Sequence, residues 1–509
     1  MRRSEASKGE HPPVARELFS FSPVWLIMLA VIFAAGLAVR LYDLADPPLD
    51  FHPTRQLHSA LIARGMYYQT TPNVSAEQRA LAVEQWRTEG IIEPQVFEQI
   101  VAWTYALAGE ADLQIPRLYA IGLWMAAAGF LTALAIRLIG RSGALAAALI
   151  FLMLPYAVVA SRAFQPEPLM IALIAAALLS AVRWEHRMLW GRAILTGLLA
   201  GLAIFIKSTA VFFLGPALFV IALAGGGPRS LQVWVMALLA VLPYAVYHFY
   251  GVYITGTLVE QFSLRFFPEM WLDPAFYLRW LSNLERMAPF GLVLAALAGV
   301  LLVLRPYRRW LLFSLWLGYF LYGMTLPHHI STHDYYHLPL MIPIALGVGA
   351  LAQAAFGLMR GSRGWAVVWA SLLLIAAAGV YGYQARNQLK RFDAAAQART
   401  WSAIGAELGR GAGVVALADD YGSGLKYYGW INPRNWLTAE EITWRESIGQ
   451  SFDFEAEFRA LAGDADYFVI IPPAELDRQP ELKEALDGSY TIHRQTPEYV
   501  IYDLLKPGQ

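Results

Sequence analysis

The chain has no cysteine in its 509 residues, so disulfides and thiolate metal sites are excluded. Charge is scarce as well. Asp, Glu, Lys and Arg make up 15% of the residues, against about a quarter in an ordinary soluble chain. The 39 basic and 39 acidic residues cancel, so no net field draws the chain to nucleic acid. There is no GxGxxG, P-loop or GxSxG element, which removes the common dinucleotide, nucleotide and serine-hydrolase signatures. No repeat of solenoid period is present.

What remains is apolar. Hydrophobic residues reach 57%, and the mean hydropathy is +0.43. Seventeen Trp and 25 Tyr suit long membrane–water interfaces, where these rings settle. A span needs roughly 20 mostly apolar residues, and about eleven segments meet that test. They lie at 23–41, 116–136, 143–161, 168–183, 193–207, 209–225, 231–250, 288–304, 309–326, 338–358 and 365–383. The weakest division is inside 193–225, where only "KST" at Lys207 to Thr209 interrupts the run. The first segment follows Arg2, Arg3, Lys8 and Arg16 and has no small-residue cleavage site after it, so it reads as an uncleaved helix.

Basic residues favour the cytoplasmic side. Alternate connections hold Arg137 and Arg141, then Arg183, Arg187 and Arg192, then Arg229, then Arg305, Arg308 and Arg309, then Arg360 and Arg363. The expectation is an integral protein of the plasma (inner) membrane with its N-terminus in the cytoplasm. Residues 1–22 form a cytoplasmic tail and 23–383 a transmembrane domain. Two outer connections are long, 42–115 and 251–287. After about residue 384 the hydropathy falls. "GAGVVALADDYGSGLKYYGW", "DADYFVIIPP" and "YVIYDLL" read as strands and "PELKEALDG" as a short helix. This predicts a small α/β domain outside the cytoplasm over 384–509.

Ionisable groups at the ends of membrane spans are costly and often functional. The predicted topology gathers several on the outer side. Asp50 lies in "PPLDFHP", between prolines that stiffen the backbone. It is either a carboxylate favoured by the start of the following helix or a general base facing a cleft. His52 and Arg55 follow it. Glu93 precedes a proline suited to a helix first turn. Arg117 opens the second span as a snorkelling arginine or an anion contact. Arg162 and Glu167 share the short turn "SRAFQPEPLM", as an ion pair or with Glu167 facing the same cavity as Asp50. Lys207 stands in "LAIFIKSTAVFF", either snorkelling to the interface or holding a phosphate. "HHISTHDYYH" carries His328, His329, His333 and Asp334. Its histidine spacing would suit a metal on a helix. The segment reads as a loop, so contacts to a substrate are favoured over a divalent metal, with Tyr335 and Tyr336 at the interface.

Taken in order, these features resemble the GT-C membrane glycosyltransferases. They are an acid in the first outer loop, "EP" before a helix ending at Gly109, Arg117 at the next span and a second acid at the third-to-fourth-span turn. "GLLAGLAIFIKSTA" and "YYHLPLMIPIA" complete the set. The nearest branch is the protein mannosyltransferase and aminoarabinose transferase group, and the likeness covers roughly residues 20–350. The resemblance implies an α-helical polytopic GT-C membrane fold and an inverting enzyme. Such enzymes move a sugar from a polyprenyl-phosphate carrier to a hydroxyl-type acceptor on a glycan, lipid or protein, with no tightly bound cofactor. It implies that Asp50 is the catalytic acid of the first loop, with Glu167 as a second catalytic acid. Lys207 and Arg117 match the positive groups near the carrier phosphate, and Arg55 and His52 are weaker candidates for that role. Many relatives carry Asp-Glu in the first loop, whereas this chain has "DFH".

The residue types fit this chemistry independently. An acceptor hydroxyl needs a base. A departing phosphate needs Lys or Arg donors. Two other classes share some of these features. A transporter or flippase of a lipid-linked substrate would use the same cations, but the chain lacks paired broken spans in matching halves. A scaffold with a partner-binding tail leaves Lys207 and Glu167 unexplained.

Overall fold

The computed structural model describes residues 22–72, 74–259, 266–359, 363–391, 394–447 and 449–507. Arg2, Arg3, Lys8, Arg16 and Arg360 of the charge pattern lie outside the described residues, as does nearly all of the tail 1–22. The chain divides into two compact units. One comprises residues 1–42, 121–161 and 166–388, the other 43–120, 162–165 and 389–509.

The first unit is helical. Each of the eleven apolar segments falls on helix, but helix length separates them. Among the described residues six helices are long and apolar enough to cross a membrane, or seven if Pro274–Met287 and Phe290–Leu301, bent by 88°, form one span. Arg141–Met153, Trp190–Ile206 and Ala210–Ala224 are apolar but shorter. Local chemistry sets these breaks. Pro155 has no N–H to continue a helix, and Leu154 before it is extended at ψ 127°. Lys207 is extended at φ −153°, ending Trp190–Ile206 before Ala210 begins the next helix.

The bundle carries large apolar side chains on its outside. Trp234, Leu238, Val241 and Val246 are all exposed on Leu231–Phe249. Such a continuous apolar face marks contact with lipid. Inside, small residues let helices approach. A Cβ on Gly299 would lie 1.9 Å from the Gly347 carbonyl oxygen, so Phe290–Leu301 and Met341–Leu358 meet backbone to backbone. Arg40, fully buried at the end of the first helix, donates to the Ser161 hydroxyl at 2.7 Å and to the Leu152 carbonyl at 2.7 Å. The segment after Leu326, expected as a loop, forms the short helix Pro327–Thr332 and a 3₁₀ turn over Asp334–Leu340. Pro327 at its first position pre-sets the helical φ.

The second unit joins the first outer connection to the tail. Pro53–Thr70, Ala76–Thr88 and Val96–Ala108 are its helices from the N-terminal side. The last ends at Gly109, whose φ of +83° gives a left-handed cap. The tail holds a five-stranded sheet in the order β2-β1-β3-β5-β4. β1 is Val414–Ala418, β2 Arg434–Trp436, β3 Tyr467–Ile471, β4 Tyr490–Gln495 and β5 Val500–Pro507. β1 runs parallel to β2 and β3, and β5 is antiparallel to β3 and β4. β1 is buried throughout, as a parallel central strand should be. The three expected strands and the helix Pro480–Ser489 are present; β2 and β4 were not foreseen.

One arginine stands at the centre of the contacts between the tail and the first connection. Arg64 donates to the carbonyls of Tyr427 at 2.5 Å and Lys426 at 2.8 Å, and to the Gln85 side chain at 2.7 Å. Its guanidinium lies 4.4 Å from the centre of the Tyr427 ring and 3.9 Å from that of Trp430. Burial lowers its pKa to about 10, so it remains a cation at neutral pH. Around it, Gln85 donates to the Ile431 carbonyl, Asn432 to Glu84, and Lys426 to Glu89.

Candidate active site

The sequence-predicted residues fall into two groups, one in each unit. In the second unit Asp50 sits three residues before the helix Pro53–Thr70. Its Oδ2 accepts from Arg117 Nη2 at 3.0 Å, with side chains 6% and 1% exposed. The other oxygen accepts no hydrogen bond from the described residues. Arg117 also donates to the carbonyls of Leu44 and Asp46, so the guanidinium ties the whole approach to Asp50 in place. The turn is strained. His52, at the helix cap, has φ +45°, a conformation costly for a residue with a Cβ and concentrated at functional sites. Its ring packs edge-on against Phe51 at 4.7 Å. Gln56 donates to the Phe51 carbonyl and accepts from the Phe164 N–H.

Other charged groups lie nearby. Arg55 donates to both oxygens of Glu93 at 2.9 and 3.0 Å, a bidentate pair. Arg162 donates to the Asp43 carbonyl at 2.8 Å. Burial, with Arg117 beside it, lowers the Arg162 pKa to about 10. Burial and Asp43 push the Asp46 carboxyl up against the pull of Arg117. Gln165 was not singled out in the sequence. It is buried, and neither side-chain polar atom has a partner among the described residues.

In the first unit Glu167 is the first residue of Glu167–His186 and Lys207 caps the C-terminal end of Trp190–Ile206. Helix dipoles favour an acid at the first place and a cation at the second. Lys207 Nζ donates to Glu167 Oε1, with side chains 6% and 2% exposed. Glu167 Oε2 is buried and unpartnered among the described residues. The acid therefore takes its cation from a residue 40 positions on. Lys207 Nζ also lies 5.4 and 5.2 Å from the ring centres of Tyr335 and Tyr336. The Tyr156 hydroxyl lies within electrostatic reach of Asp334, and the Tyr322 hydroxyl is buried without a partner among the described residues. The His333 ring is tilted by 51° against that of Tyr335, with ring centres 5.3 Å apart.

His337 is structural. Its Nδ1 pairs with the Tyr319 hydroxyl at 2.7 Å and its Nε2 with the Ile330 carbonyl at 2.9 Å. Among the described residues no three His, Asp or Glu side chains come together to hold a metal.

Residues 93–249 match the family model for dolichyl-phosphate-mannose-protein mannosyltransferase. No curated protein matches the chain. The fold is similar to that of Cupriavidus metallidurans ArnT bound to undecaprenyl phosphate. The TM-score is 0.58 at 13% identity, over 95% of this chain and 98% of that one. It is also similar to the Archaeoglobus fulgidus oligosaccharyltransferase in complex with Zn and sulfate. There the TM-score is 0.53 at 12% identity, over 94% of this chain and 73% of that one. A third likeness is to A. fulgidus AglB with an inhibitory peptide and a dolichol-phosphate, at TM-score 0.51 and 12% identity, over 93% and 74%. The GT-C architecture and small C-terminal sheet expected from the sequence are borne out.

Proposed function

We propose, from the GT-C glycosyltransferase fold of this integral membrane chain, that it moves a sugar from a polyprenyl-phosphate carrier to a hydroxyl-type acceptor with inversion, on the outer face of the membrane. The observation that carries this reading is Asp50. It is a buried carboxylate on a strained, proline-braced turn, with one oxygen clamped by Arg117 and the other accepting no hydrogen bond among the described residues. That is the geometry of a positioned base. Support also comes from ArnT, the structural relative bound to undecaprenyl phosphate.

In the reaction, the acceptor oxygen attacks the anomeric carbon as the carbon–oxygen bond to phosphate breaks. Asp50 takes the acceptor proton, and the carrier leaves as a phosphate anion. Arg117, committed to Asp50 and two carbonyls, is a positioning residue. Lys207 is the phosphate contact. Glu167 and the flanking Tyr335 and Tyr336 hold its ammonium in place (a mobile lysine would lose preorganisation). His52, Arg55, Glu93 and Arg162, in the unit of Asp50, and His333, in the unit of Lys207, are further candidate substrate contacts. Membrane lipid accommodates the carrier's tail.

The test is release of free polyprenyl phosphate from a panel of labelled carrier-linked sugars, with purified wild type and Asp50→Ala in lipid. Release by the wild type alone, with one sugar preferred, is expected. No release from any donor, even with cell-envelope acceptor added, overturns the reading in favour of transport.

A further inference from the structure

The second unit contains a cavity of about 260 Å³ between the approach to Asp50, the connection before Arg117, and the tail. Its lining includes Asp46, Pro48, Asp112, Arg117, Tyr427 and Tyr428. The tail's contribution is two tyrosines, of which Tyr427 is held by the Arg64 clamp. Tyr428 stacks on Trp401, with ring centres 5.7 Å apart and planes 16° apart.

Two residues of this lining carry a buried polar atom with no hydrogen-bond partner among the described residues. Arg117 is 1% exposed, and its Nε has no hydrogen-bond partner among the described residues. The Tyr428 hydroxyl is likewise buried and unpartnered, within electrostatic reach of Arg117 and Asp46. Asp112 spends one oxygen on the Gln114 N–H at 2.8 Å. Buried polar groups are normally satisfied, so this arrangement points to a ligand bearing both donors and acceptors.

Size and charge narrow its class. Ligand sites usually run from about 300 Å³ upward, so this cavity suits a single ring. The Arg117 charge is already matched by Asp50, leaving Asp46 and Asp112 to make the lining net negative. That disfavours a phosphate. Carboxylates and a phenol hydroxyl bind hydroxyl or amino groups, and tyrosine and proline faces cover the apolar side of a ring.

We propose that this cavity is a subsite for one neutral or amino-bearing sugar ring of the acceptor, completed by Tyr428 of the tail. The inference rests on the transferase reading for the word acceptor only. It makes the tail a specificity element whose tyrosines lie in the same cavity as the arginine that positions the base.

Saturation-transfer NMR on the full chain in nanodiscs tests it, with methyl α-glucopyranoside, glucosamine and inorganic phosphate as probes. Wild type, Tyr428→Phe and Asp112→Asn are compared. Tyr428→Phe keeps the stack on Trp401, so it tests the hydroxyl without removing the ring. Transfer to one or both sugars is expected, weakened about tenfold in at least one variant, the worth of one hydrogen bond. No transfer from wild type to either sugar overturns the subsite. So does equal binding by all three proteins, or competition of phosphate with the sugars. Variant-sensitive sugar binding in a protein that releases no carrier phosphate keeps the subsite and fails the transferase reading. Carrier release without such binding does the reverse.

Discussion

Arg117 and Asp50 form a buried ion pair, 3.0 Å from Nη2 to Oδ2, across 67 residues of sequence. The same guanidinium holds the carbonyls of Leu44 and Asp46. One side chain thus fixes both the carboxylate and the backbone leading to it. A base oriented this way loses no rotamer freedom as the substrate arrives.

Asp50→Asn is expected to cut kcat for carrier release by about 10²–10⁴ with little change in donor KM, the usual worth of a general base. Arg117→Lys should lower kcat less and shift the pH–rate profile, because the planar fork that reaches Asp50 and two carbonyls is replaced by a point charge. A mere loss of fold would lower the active fraction and leave the profile in place. Full activity of Asp50→Asn would remove it as the base.

The Lys207–Glu167 pair is almost wholly buried. Breaking a buried pair from one side costs about 3–5 kcal/mol, because the partner stays behind as an uncompensated charge. Lys207→Met and Glu167→Gln should each lower the unfolding midpoint in detergent. The double variant should be more stable than the sum of the single losses predicts. Additive losses would mean that the two side chains do not act as a pair.

Much of this was legible in the sequence. Apolar runs of helix length marked the segments, and "KST" marked the break where Lys207 caps its helix. The prolines around Asp50 and Glu167 flagged both acids. What could not be read was partnership. Glu167 finds Lys207 rather than its neighbour on the turn because helix packing, not spacing, brings them together. Arg64 reaches Tyr427 across 363 residues, and no local pattern encodes such a contact. β2 is three residues, Arg434–Trp436, too short to leave a periodicity.

Arg64 is the residue on which the docking of the tail is expected to depend. Arg64→Ala strands two carbonyls and the Gln85 amide and removes both ring contacts. Hydrogen exchange over residues 423–431 should accelerate at least tenfold, the loss of one or more charged hydrogen bonds. Arg64→Lys should recover only part of the protection, since an ammonium cannot span the same fork of acceptors. Unchanged exchange in Arg64→Ala would place the hold on the tail elsewhere.

The contact between Glu89 and Lys426 makes the same docking sensitive to acid. Glu89 accepts from Lys426 at 2.9 Å and pairs with His58 at 2.8 Å. Burial alone would raise its pKa, but the His58 hydrogen bond and the Lys426 charge outweigh that and hold the carboxyl below its ordinary value of 4.5. A folded-state pKa lower than the unfolded one means that folding favours the ionised form. The resulting stability is fully present above about pH 4.5 and is lost as the pH falls through the lowered folded value. Exchange over residues 423–431 should therefore be flat from pH 7 to 5, after correction for intrinsic rates, and rise below 4.5. Glu89→Gln should show the raised exchange at pH 7 and lose the acid step. If the step persists in Glu89→Gln, another carboxylate carries it.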